Sequence, residues 1–142
     1  MRALLDANVL VALLDADHSL HVRAVEWFSA HAEAGWASCP ITQNGCVRIM
    51  SHPGYPNPLP VGAVMERLGE ATRSPLHQFW PDDISLLDPR VAERSRIHGP
   101  RQLTDVYLLA LAVRHEGRFT TFDVSISLDA VPSARSSHLV TL

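Results

Sequence analysis

The sequence predicts an α/β fold: a mostly parallel sheet of about five strands with helices on both faces. Three observations lead there. Short apolar runs alternate with longer segments whose apolar residues recur at helical spacing. Gly and Pro fall between the two kinds of segment. Acids stand at the ends of the apolar runs rather than inside them, as at Asp6 and Asp123. The 142 residues suit one domain, 1–142, with no internal repeat and no linker.

The elements follow in order. Arg2 to Leu5 reads as the first strand. Asn8 is placed to cap the next helix, whose Val9, Leu10, Leu13 and Leu14 form an apolar stripe. Ser19 to Ala34 is an amphipathic helix, stopped by Gly35. Trp36 to Cys39 is a second strand, and Pro40 starts a helix that runs to Met50. The proline-rich stretch from Ser51 to Pro60 is loop, and Val61, Val64, Met65 and Leu68 then mark a helix. Leu76 to Trp80 is a third strand. Asp88-Pro89 is a cap followed by a first-turn proline, which predicts a helix to about His98. Leu103 to His115 is apolar almost all round and reads as a buried helix. Arg118 to Phe122 and His138 to Leu142 complete the strands.

Composition narrows the function. Hydrophobic residues make up 46% and charged residues 19%, which is a globular balance. No apolar run is long enough to span a bilayer, and Asp6 falls too early for a signal-peptide core, so a cytoplasmic protein is expected. Cys39 and Cys46 lack metal or redox spacing and read as reduced, buried thiols. The net charge of -3 gives no overall attraction for nucleic acid. All 12 basic residues are Arg, a pattern that a GC-rich genome explains as well as phosphate recognition does. No GxGxxG or GxxxxGK segment is present to bind a nucleotide cofactor.

Asp6, Asp105 and Asp123 each stand where an apolar run meets a new element. In an α/β protein such positions converge at the carboxyl edge of the sheet. Close carboxylates need a counter-charge, and a divalent cation supplies one. On spacing alone helix capping explains them nearly as well.

The motifs around these acids resemble those of PIN-domain ribonucleases, specifically the VapC toxins of bacterial type II toxin–antitoxin systems. Leu4-Leu5-Asp6-Ala7-Asn8-Val9-Leu10 resembles the first motif and Pro40 to Arg48 the second. Leu103 to Ala112 resembles the third and Phe119-Thr120-Thr121-Phe122-Asp123 the fourth. The resemblance implies a PIN-like three-layer sandwich and a Mg²⁺- or Mn²⁺-dependent endoribonuclease, a hydrolase acting on tRNA or rRNA. It implies metal ligands at Asp6, Asp105 and Asp123, with Gln43 as a further catalytic-site residue. It also implies a homodimer and a VapB-like antitoxin. One position departs from the pattern: the family usually has glutamate where this chain has Gln43, which offers an amide oxygen but no charge. That departure sustains an alternative, a catalytically weakened PIN fold that binds RNA or a partner.

Other residues have two readings each. Thr42 and Thr121 orient site groups, or serve as a cap and a strand residue. His18 and His21 have a zinc-like spacing without further ligands and read as solvated. Arg94, Arg96 and Arg101 lie just before Asp105, as RNA-phosphate contacts or as solvated charge. Tyr55 is a stacking aromatic for an unpaired base, or part of a plain loop.

Overall fold

The apolar runs pair as five short parallel strands in the computed structural model, which describes residues 1–142. They are β1 Ala3–Leu5, β2 Trp36–Ser38, β3 His77–Phe79, β4 Arg118–Thr121 and β5 Leu139–Thr141. Their order across the sheet is β3-β2-β1-β4-β5, and each neighbouring pair is parallel. The helices are α1 Ala7–Leu14, α2 His21–His31, α3 Pro40–Ser51, α4 Val61–Thr72 and α5 Leu103–Arg114.

Because β1 lies in the middle of the sheet, all three of its residues are buried. The two-residue period of a strand sends them to different sides. Leu4 joins a core with Phe119, Leu108, Leu109, Leu111 and Trp80. Ala3 and Leu5 join a second core with Val9, Leu10, Met50 and Val64. The first core holds α5 and the irregular segments after β3 and β4; the second holds α1, α3 and α4. A strand covered on both faces reads as a continuous apolar run rather than an alternating one, as in the sequence.

Most boundaries agree with the sequence reading to within a few residues. Three differ for identifiable reasons. No α-helix forms from Asp88 to His98; the segment holds a turn and a 3₁₀ turn at Arg94–Arg96. There the Glu93 N–H bonds to the Ala130 carbonyl across the chain, 2.9 Å away, instead of entering a helical ladder. Asp88 closes a local turn by accepting from Arg90 N–H at 2.9 Å. Asn8 does not cap α1. Asp6 is the cap, its side chain accepting from Ala7 N–H, and Asn8 lies exposed in the first turn. The helix predicted from Ser19 begins at His21 and ends in a 3₁₀ turn, Ala32–Ala34, before Gly35 at φ 82°.

Both cysteines are free and buried. Gly117 lets the start of β4 press against its neighbours: a Cβ there would lie 2.6 Å from the Arg2 carbonyl oxygen and 2.6 Å from the Trp80 ring. Gly117→Ala is expected to destabilise the protein by about 1–3 kcal/mol through overpacking. A lowered urea midpoint with unchanged slope is the confirming result.

Candidate functional site

β1 and β4 are adjacent and parallel, with Leu5 opposite Thr120, so both strands end at the same edge. Asp6 follows β1 directly, and its N–H donates to the Thr120 carbonyl at 2.9 Å. Its carboxylate is held from two sides. Ala7 N–H donates to Oδ1 at 2.8 Å, and Thr121 Oγ1 donates to Oδ2 at 2.7 Å. Thr121 is buried at the end of β4, and its Oγ1 also accepts from Asp123 N–H at 3.1 Å. One hydroxyl therefore joins the two strand ends and both of their acids. Asp105 enters from the other core, in the first turn of α5.

These acids differ in how they keep their charge. Burial raises the pKa of Asp6, which its two donors oppose and the nearby Asp123 charge reinforces. Asp123 is held below the usual range by Ser125, whose hydroxyl donates to Oδ1 at 2.6 Å and whose N–H donates at 2.8 Å. No donor reaches Asp105. Burial, then the charges of Asp6 and Asp123, push its pKa up to about 6. The repulsion is expressed at Asp105 because it is the acid with nothing to hold its charge.

A divalent cation suits this donor set: the donors are anionic oxygens, and none is paired with a cationic side chain. As the side chains stand, no three His, Cys, Asp or Glu groups are gathered closely enough to enclose an ion. Asp123 in particular is turned to Ser125.

Residues 3–130 match the PIN domain family. The chain is 57% identical over 142 residues, the full length of both proteins, to "Ribonuclease VapC44" of Mycobacterium tuberculosis (strain ATCC 25618 / H37Rv). It is 39% identical over 128 residues to "Ribonuclease VapC39" of the same strain, covering 89% of this chain and 92% of that one. It is 42% identical over 125 residues to "Ribonuclease VapC38", covering 87% and 86%.

The chain belongs to the VapC-type PIN-domain family.

Within this PIN domain, the Gln43 side chain is engaged with β2. Its Nε2 donates to Ser38 Oγ at 2.9 Å, and Ser38 Oγ lies 2.8 Å from His77 Nε2. That chain runs from α3 through β2 to β3, on the side of β1 away from β4 and Asp123. The Gln43 side chain also lines a cavity of about 160 Å³ with Met65, Gly69 and Thr72 of α4. The amide nitrogen is thus held by Ser38, at the carboxyl end of the strand beside β1.

Other expectations also resolve. Thr121 orients Asp6, whereas Thr42 closes the start of α3, its Oγ1 accepting from Cys39 N–H at 3.0 Å. His18 and His21 are used locally, on Leu20 N–H and the Ala12 carbonyl. Tyr55 donates to Asp15 and is half-buried, so its ring is not a free stacking platform. Sequence reading missed Ser125, although Asp-x-Ser just after a strand is a recognisable side-chain turn.

Two outcomes follow from the electrostatics. Asp105 has a folded-state pKa of about 6 against an ordinary 3.8, so the folded protein holds more protons between those values and loses stability as pH rises through that window. Asp105→Asn is expected to stabilise the ion-free protein at pH 7 by about 1 kcal/mol after allowance for solvent screening, about 3 °C in Tm. Near pH 4 it should have no effect, and calorimetric melts in EDTA at both values check this. Separately, Gln43→Glu should leave Mn²⁺ affinity within about twofold of the parent, because position 43 faces Ser38. Tighter binding by titration calorimetry would return Gln43 to the acid site.

Proposed function

We propose that this protein is a toxin endoribonuclease in which Asp6, Asp105 and Asp123 hold Mg²⁺ or Mn²⁺ for hydrolysis of RNA phosphodiester bonds. The observation that carries the reading is the Thr121 bridge, which sets Asp6 at the edge where Asp123 ends β4 and Asp105 begins α5. Its relatives, each named a ribonuclease and matched over most of its length, support the reaction class.

When bound, the divalent ion offsets the carboxylate charge, acidifies water and stabilises charge on phosphoryl oxygens. The chain's own residues prepare for this. Asp6 is oriented by Ala7 and Thr121, whose hydrogen bonds favour its charged form against burial. Asp105 lacks a donor, so its charge is the one a bound cation would offset most. Asp123 is exposed and would complete the set by turning from Ser125.

The target is a tRNA or rRNA, cut to leave a 5′-phosphate, which stops translation and growth. A cognate VapB-like antitoxin silences the enzyme by placing a cation, an arginine, against the acids. The protein acts in the cytoplasm as a homodimer, each copy a single PIN domain spanning 1–142. No helix of the chain is long and apolar enough to cross a membrane. The competing reading, a weakened binding module, drew on the neutral Gln43. Three acids set against one another favour the enzyme, because such an arrangement is costly unless a cation joins it.

Asp6→Asn should keep the circular dichroism of the parent and lower Mg²⁺-dependent RNA cleavage by at least ~100-fold. It should also relieve growth arrest on induced expression and remove the new RNA 5′ ends that the parent creates. Undiminished cleavage and toxicity would sink this mechanism.

A further inference from the structure

The acids share a cavity with positive charge that they do not use. A space of about 250 Å³ is lined by Asp105, Asp123 and Ser125 together with Arg96, Arg101 and Gln102. Opposite charges across so small a space ordinarily close into ion pairs. Here they do not: the chain's ion pairs are Arg90–Asp88 and His115–Asp83, and neither Arg96 nor Arg101 makes a side-chain hydrogen bond. Both guanidinium groups are exposed and unspent beside the acids.

Their placement is fixed by the backbone. Arg101 lies in a 3₁₀ turn, Pro100–Gln102, that runs directly into α5 and stands four residues before Asp105. Gln102 locks this turn, its Oε1 accepting from His98 N–H at 2.6 Å and Gly99 N–H at 3.2 Å. Arg96 closes the preceding 3₁₀ turn, Arg94–Arg96. Arg94 belongs to that turn too but does not line the cavity. The three arginines that look equivalent in sequence are thus two plus one in space.

We propose that Arg96 and Arg101 are positioning residues that hold a backbone phosphate of single-stranded RNA beside the acids. The proposal rests on the ribonuclease reading and assigns to it the groups that carry RNA affinity. A guanidinium fork fits two phosphate oxygens, and placing it next to carboxylates offsets their repulsion of the incoming strand. Ser127, also in the cavity wall, has a hydroxyl proton not used elsewhere in the chain.

The test uses fluorescein-labelled octauridylate and the full chain in EDTA, so that binding is read without turnover. Arg96→Ala and Arg101→Ala should each weaken binding about five- to tenfold and reduce the slope of log K against log salt by about 0.7. Arg94→Ala should bind within about twofold of the parent. Arg101→Lys should recover the slope but only part of the affinity, because a point charge replaces a fork. If the Arg96→Ala, Arg101→Ala double variant binds with the parent's affinity and slope, the proposal is overturned. In that case continued Mg²⁺-dependent cleavage by the parent leaves the ribonuclease reading standing. Loss of affinity in the Arg94→Ala variant equal to that of the other two would also overturn it, since general charge rather than the cavity would then carry binding.

Discussion

A parallel sheet delivers the carboxyl ends of all its strands to one edge, and here that edge gathers like charges. β1 and β4 are neighbours in register, so the acids that follow them have nowhere else to go. Thr121 makes the arrangement tolerable at the backbone by donating to Asp6 while accepting from Asp123 N–H. The remaining repulsion falls on Asp105, which α5 brings from the opposite core without a donor of its own. The fold thus converts strand order into stored electrostatic free energy, and it places that energy where a cation can release it.

The same edge shows why the chain needs two cores. An acid at the end of a central strand is partly desolvated only if both faces of that strand are covered. Leu4 packs into one core and Leu5 into the other, which leaves Asp6 as the first residue able to reach solvent. The core on the α5 side then supplies Asp105 from the helix whose Leu108, Leu109 and Leu111 anchor it. Burial that stabilises the sheet is the burial that raises the pKa of the acids.

Much of this was legible in the sequence because it depends on chain position. Strand ends, helix starts and acids at their junctions follow from periodicity, and Asp6, Asp105 and Asp123 were found that way. What side chains do once placed was not legible. Gln43 occupies a motif position that suggests the acid site, and its amide nitrogen donates to Ser38, which in turn meets His77 of β3. The Asp88 segment has good helix-start chemistry, yet one long-range bond from Glu93 to Ala130 outweighs it. Asp6 took the capping role expected of Asn8 because the strand had already aimed its carboxylate at the helix start. In each case a particular hydrogen bond, rather than a residue's general preference, decides the outcome.

A chain with net charge -3 is an improbable RNA binder if charge is summed over the whole molecule. The relevant quantity is the potential within one cavity, because surface charges farther apart than the Debye length are screened from one another. At the sheet edge the acids would repel a phosphate, so affinity and chemistry place opposite demands on the same few ångströms. Resolving that conflict takes positive charge from outside the carboxylate set. In the proposed reaction a divalent cation would supply some of it. Arginines carried by the turns before α5 would supply the rest without competing for the cation, since guanidinium groups cannot ligate it. Dividing the work between a removable cation and fixed arginines would let an acidic protein bind an anion at the place where it cuts it.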